Sequence, residues 1–200
     1  MELTADQLDA LKELINVGVG QAAGMLNEMI EFRIRLQVPI VRLLTPLELQ
    51  TELSGRLGPD QLASVQLAFS GSFGGTAQLV FPTESAANLV AILTGEEPES
   101  PDLDSLKIGT LTEVGNIVIN GVMGCISNML TQPLHYSVPV YLEEDIKHLA
   151  SLKEEVNSNI TVLLAQASFD VEELQITGDI VLFFGVGSFD ALLDAIATVE

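Results

Sequence analysis

"LKELINVGVGQAAGMLNEMI" (Leu11–Ile30) and "LTEVGNIVINGVMGCISNML" (Leu111–Leu130) are two versions of one segment, and the fold follows from reading them together. Glu13 aligns with Glu113, Asn16 with Asn116 and Met29 with Met129. In the first version Leu11, Ile15, Ala22, Leu26 and Met29 recur at helical spacing and form one apolar face. In the second, Glu113, Asn116 and Asn120 lie among the aliphatic residues, where unpaired amides and carboxylates would be costly to bury.

Working outward, the duplication continues. "VPIV" with Pro39 matches "VPVY" with Pro139, and "GTAQLVFPTESAANLVAIL" (Gly75–Leu93) parallels "GDIVLFFGVGSFDALLDAI" (Gly178–Ile196). The offset grows from 100 at Glu13/Glu113 to 103 at Gly75/Gly178, which marks a small insertion in the second copy. "EEPESPD" (Glu96–Asp102), rich in charge and proline, reads as the junction. The expectation is one domain over residues 1–200, built of two repeats at about 1–97 and 102–200.

Each copy opens with a long helix. Thr4 and Gln7 form a capping box at the start of the first, with Leu3 and Leu8 as a hydrophobic staple. Asp104 is the expected N-cap of the second, with Leu103 stapled to Ile108. "FRIRLQVPIV" then alternates, with Phe32, Ile34 and Leu36 on one face and Arg33 and Arg35 on the other. "SVQLAFSGSF" and "TAQLVF" are strands joined by a turn at Gly74-Gly75. "TESAANLVAILTG" is a helix with Thr83 as expected N-cap and Gly95 just past its end. The second copy repeats the order with "NITVLLAQASF", "LQITGDIVLFF" and "SFDALLDAIA". This predicts an α+β fold with pseudo-two-fold symmetry, in which long helices cover one face of an antiparallel sheet.

Composition limits the function. The chain has 200 residues, is 48% hydrophobic and lacks tryptophan, so its core is largely aliphatic. A formal net charge of −20 disfavours nucleic acids and anionic membrane surfaces and favours a partner with a basic patch. The single Cys125, within an apolar run, reads as an inert core thiol and fits a reducing compartment. The acidic amino terminus has no signal-peptide core, and the apolar runs are too short for a membrane span. A cytoplasmic protein without membrane insertion is expected. His135 and His148 stand far apart without Cys/His spacing, so no metal site is expected. "SGSFGG" (Ser70–Gly75) lacks the ending of a P-loop and reads as a hairpin turn. "LEEDIKHLASLKEE" (Leu142–Glu155) reads as a solvated helix.

Glu113, Asn116 and Asn120 follow one another at helical intervals and project along one stripe; Asp9, Glu13, Asn16 and Gly20 do the same in the first copy. The plain explanation is the solvated side of an amphipathic helix. A Thr110/Glu113 capping box is the other, although alignment with the first copy puts the helix start near Asp104. Against both stands the repetition. Asparagine is a poor helix former, yet it recurs at the same position in both halves.

Glu13-x-x-Asn16 and Glu113-x-x-Asn116, each with a proline 23 residues after the Asn, resemble the signature of the CheC/CheX/FliY phosphatases. "ELINVGVGQAAGML", "VGNI" and "FSGSFGGTAQLVFP" are similar to CheC sequence as well, and the resemblance covers nearly the whole chain with its two motifs. It implies hydrolysis of the aspartyl-phosphate on a phosphorylated CheY-like receiver in chemotaxis or two-component signalling. Glu13 and Glu113 would dock the receiver's lysine, and Asn16 and Asn116 would position the attacking water. Asp9 would add a leading polar contact in the first site, where the second has Gly109. No cofactor of its own is implied, because Mg²⁺ would belong to the receiver. The rival implied reading is a non-catalytic docking module for a receiver or for a CheD-like deamidase.

Overall fold

The computed structural model describes residues 3–29, 33–57, 61–96, 103–151, 160–171 and 174–198. Residues 97–102 of the expected junction, Phe32 and the 152–155 end of the acidic segment lie outside the described residues. In chain order the elements are α1 (Ala5–Met29), β1 (Ile34–Leu44), α2 (Pro46–Leu57), β2 (Leu62–Gly71), β3 (Gly75–Pro82) and α3 (Thr83–Thr94). They continue with α4 (Leu103–Met129), β4 (Leu134–Tyr136), β5 (Val140–Glu144), α5 (Ile146–Ser151), β6 (Thr161–Val171), β7 (Leu174–Phe184) and α6 (Ser188–Ala197).

The α1 capping box forms as expected: Gln7 N–H donates to Thr4 Oγ1 at 3.2 Å, and Thr4 N–H donates to Gln7 Oε1 at 3.0 Å. At the other expected caps the structure differs. Asp104 lies inside α4, which already starts at Leu103; Ile108 is 55% exposed, and the side chain of its expected staple partner, Leu103, lies outside the described residues. Thr110 is deep within the same helix and starts nothing. Thr83 is the first helical residue of α3 rather than its cap, and its hydroxyl donates to the Gln61 carbonyl at 2.6 Å. The far end of α3 closes as expected, with Gly95 left-handed at φ 72°.

Seven strands form one antiparallel sheet in the order β1-β6-β7-β3-β2, with β4 and β5 both paired to the outer edge of β2. Exchanging β1 with β4/β5, β2 with β6 and β3 with β7 leaves that order unchanged. The central pair is β3·β7, with Leu79 opposite Ile180 and Ala77 opposite Leu182. Each outer strand therefore pairs with a hairpin from the other half of the chain.

The long helices cover one face. Val65, Leu67, Leu79, Phe81, Leu163, Phe169, Ile180 and Phe184 bury there against Leu11, Ile15, Val19, Val118, Val122 and Ile126 of α1 and α4. Two close approaches need glycine. A Cβ on Gly18 would stand 2.5 Å from Val122 Cα, where α1 crosses α4, and one on Gly115 would stand 2.5 Å from Val65 Cβ on β2.

The other face carries a smaller core of Leu62, Val80, Val162, Leu164, Val181 and Phe183, covered by Leu49 and Leu53 of α2 and Ile146 and Leu149 of α5. Sequence reading passed over α2. The acidic segment also divides: Val140–Glu144 is strand, and the helix runs only from Ile146 to Ser151. Among the described residues no helix is long and apolar enough to cross a membrane.

Candidate functional site

Asp9, Glu13 and Asn16 project from the exposed side of α1, as their spacing requires. Asp9 is held loosely by Lys12 at 3.7 Å, an exposed pair of small energetic weight. Glu13 is in no ion pair among the described residues. Asn16 is anchored: its Oδ1 accepts the Val38 N–H at 3.3 Å.

That bond depends on an irregularity in β1. Gln37 pairs with Ser168 and Ile40 with Gln166, so residues 38 and 39 lie opposite the single residue 167. Such a bulge breaks the regular ladder, and Pro39 has no N–H to offer it. The Val38 N–H is turned to Asn16 instead. Further along α1, the Asn27 amide bonds both the N–H and the carbonyl of Ile34. α1 is thus tied to β1 at two points by asparagine side chains.

The second copy has the same extra residue. Tyr136 pairs with Phe69 and Val140 with Gln66, so residues 137–139 lie opposite 67–68, with Pro139 in the bulge. Here Ser137 takes the ladder bonds, donating its N–H to the Ala68 carbonyl and accepting the Ala68 N–H on its hydroxyl, both at 2.9 Å. Val138, the counterpart of Val38, is 80% exposed.

Glu113 and Asn116 project from α4, with Glu113 exposed and Asn116 half-buried. The Asn116 Oδ1 accepts an N–H from Asn120 Nδ2 at 2.6 Å. Glu113 borders a cleft of about 330 Å³ with Leu26 of α1, Leu93 and Thr94 of α3, and Gly109, Val114 and Ile117 of α4. Gly109 leaves this side open, since a Cβ there would meet nothing within 4 Å. The start of α4 is pinned to β5 by Lys107, which bonds Glu143 at 2.8 Å. That bond, seconded by Tyr141, holds the Glu143 carboxyl below its ordinary range.

Each helix therefore presents one carboxylate free for a cation and, one turn on, one amide whose oxygen is held from within. An amide has no useful proton equilibrium near neutrality, so this pair can bind and orient but cannot act as a general base.

Cys125 is buried, and burial raises its thiol pKa, consistent with an inert core thiol. His135 is exposed on β4 and His148 on α5.

Sequence reading did not find the polar cluster on the other face of the sheet. Asp179 of β7 is fully buried and accepts from Arg56 of α2 at 2.6 Å, and Gln78 Nε2 donates to Gln66 Oε1 at 2.6 Å. Ser64 donates to the buried Glu144 at 3.1 Å. A lone aspartate in "ITGDIVLFF" was the available signal, but its partner lies 123 residues away.

No protein-family model matches the chain. Over 141 residues it is 28% identical to the CheY-P phosphatase CheC of Bacillus subtilis, a match that spans 67% of this chain and 65% of that protein, under two thirds of the relative's length. FliY of Thermotoga maritima shares the fold over the full length of both chains, with TM-score 0.79 at 17% identity. FliM of H. pylori, solved in complex with FliG, superposes with TM-score 0.69 at 13% identity over 96% of this chain and 100% of that one. CheX of Borrelia burgdorferi, solved with CheY, BeF3 and Mg, gives TM-score 0.54 at 18% identity over 86% of this chain and 98% of that one.

Proposed function

On the premise that the chain is a relative of the CheC, CheX and FliY chemotaxis proteins, we propose that it hydrolyses the aspartyl-phosphate of a CheY-like receiver. The observation that carries this reading is the paired arrangement just described: Glu13 with Asn16, and Glu113 with Asn116, on the outward side of two long helices. Phosphoryl transfer asks a protein mainly for positioning and electrostatics, and an amide that fixes a water meets the first need. In this reading Glu13 and Glu113 engage a lysine of the receiver, while Asn16 and Asn116 enter its phosphorylation site and hold the attacking water. A Mg²⁺ carried by the receiver would offset the charge that develops. The net charge of −20 favours a receiver that carries basic residues on the surface it presents.

Replacing Asn16 and Asn116 together by alanine is expected to lower turnover by about 100-fold or more while receiver affinity stays nearly intact. Replacing Glu13 and Glu113 by alanine is expected instead to weaken association by about 2–5 kcal/mol where the lost pair is desolvated. Phosphate release and binding to a beryllofluoride-activated receiver separate the two effects. Asparagine variants that keep full turnover would refute the mechanism; glutamate variants that keep full affinity would refute the docking role.

A second reading is a docking module that binds a receiver or a CheD-like deamidase without hydrolysis; FliM, whose fold the chain shares, is solved in complex with another protein, FliG. It ranks below the first because both asparagines are present and both are held by internal hydrogen bonds.

A further inference from the structure

We infer that Asn120 is a positioning residue of the second site, setting which end of the Asn116 amide faces the substrate. This inference rests on the phosphatase reading above. Asn120 Nδ2 donates to Asn116 Oδ1 at 2.6 Å across one turn of α4, which turns the oxygen of Asn116 toward the protein and leaves its NH₂ outward. The cost of the arrangement is visible: Asn120 Oδ1 is buried with no hydrogen-bond partner among the described residues. Buried polar atoms are rarely left unpartnered, and the exceptions call for a specific reason. Mid-helix asparagine is also unfavourable by propensity, so neither burial nor helix stability accounts for Asn120.

The first site reaches the same orientation by another route. There the residue one turn beyond Asn16 is Gly20, which has no side chain, and Asn16 Oδ1 accepts the Val38 N–H at 3.3 Å. In the second half the bulge at 137–139 makes no such bond to Asn116 among the described residues, and Asn120 supplies the missing donor. Both sites thus present the amide nitrogen. An NH₂ facing an aspartyl-phosphate donates to the oxygen of the attacking water, occupying one of its lone pairs and leaving the other for the phosphorus. Loss of the Asn120 donor would let the Asn116 amide rotate, lowering the fraction of encounters with a correctly held water.

The test uses the full chain carrying Asn16→Ala, so that only the second site turns over, and measures phosphate release from an acyl-phosphate-labelled CheY-like receiver. Asn120→Ala is expected to lower kcat about 10-fold or more with KM unchanged, and to melt no lower than its parent, because alanine suits the helix and removes the unpartnered oxygen. A merely structural asparagine would instead lower the melting temperature and leave kcat alone. Asn120→Asp keeps the shape but removes the donor, and is expected to be at least as slow as Asn120→Ala. If the aspartate variant keeps the parent's kcat, the hydrogen bond runs the other way, from Asn116 to residue 120, and the inference is overturned. Retention of kcat by Asn120→Ala, or a parent with no turnover, also overturns it while leaving the first site's chemistry standing. An Asn16→Ala/Asn116→Ala control that still turns over would overturn the phosphatase mechanism itself.

Discussion

Asp179 is fully buried in the middle of the sheet, and the guanidinium of Arg56, carried in from α2, neutralises it at 2.6 Å. Burial nevertheless raises its carboxyl pKa, with the Arg56 hydrogen bond and charge opposing the shift. An acid that binds its proton more tightly folded than unfolded contributes most to stability below the ordinary carboxylate range. That contribution is lost as pH rises through the raised value. Chemical denaturation across acid pH should therefore show the wild type gaining stability on Asp179→Asn as pH falls through that window. At neutral pH, Arg56→Ala strips the partner from a buried charge and is expected to cost about 3–5 kcal/mol. A loss near zero would mean that the pair is solvated. At this scale the stripe of Glu13, Asn16, Glu113 and Asn116 was legible because all four residues lie on helices, where spacing alone fixes direction. Asp179 was not, because its partner is set by how α2 folds back over β7. The bond from Val38 to Asn16 was hidden for a similar reason, since a bulge exists only in relation to the strand opposite.

Among the elements, α4 is the most constrained. Gly115 presses against Val65 of β2, whereas Gly109 faces open space beside Glu113. The two glycines should respond oppositely to a single methyl group. Gly115→Ala forces α4 off the sheet, with an expected loss of about 1–3 kcal/mol. Gly109→Ala should stabilise by about 0.5–1 kcal/mol, because it removes glycine's helix penalty without a clash. Urea denaturation of the two variants decides the matter, and equal effects would contradict the packing described. α1 could be read from its first residues, Thr4 and Gln7, and α2 carried comparable information. Thr45 and Glu48 form a capping box there, with Thr45 N–H donating to Glu48 at 2.7 Å and Pro46 in the first helical position. That signal lies past the strand-like run that ends at Val41, and sequence reading passed over it. Asp104 misled for the opposite reason, being a capping residue type one position inside a helix that had already begun.

For the whole molecule, the sheet order joins the halves so closely that neither can keep its edge strand alone: β1 pairs with β6 and β4/β5 with β2. The repeat in the sequence was enough to predict antiparallel strands beneath long helices. It did not reveal this exchange of edges, which depends on contacts between residues far apart in the chain, such as Ile34 with Val171 and Leu62 with Glu144. Both outer edges carry a bulge and a proline, features that discourage pairing with further strands. The most direct test of the account compares phosphate release from an acyl-phosphate-labelled CheY-like receiver in the presence of wild type, Asn16→Ala, Asn116→Ala and the double variant. The account predicts acceleration by wild type, partial loss in each single variant, and loss of the acceleration in the double variant while it still binds a beryllofluoride-activated receiver. Undiminished acceleration by the double variant would contradict it.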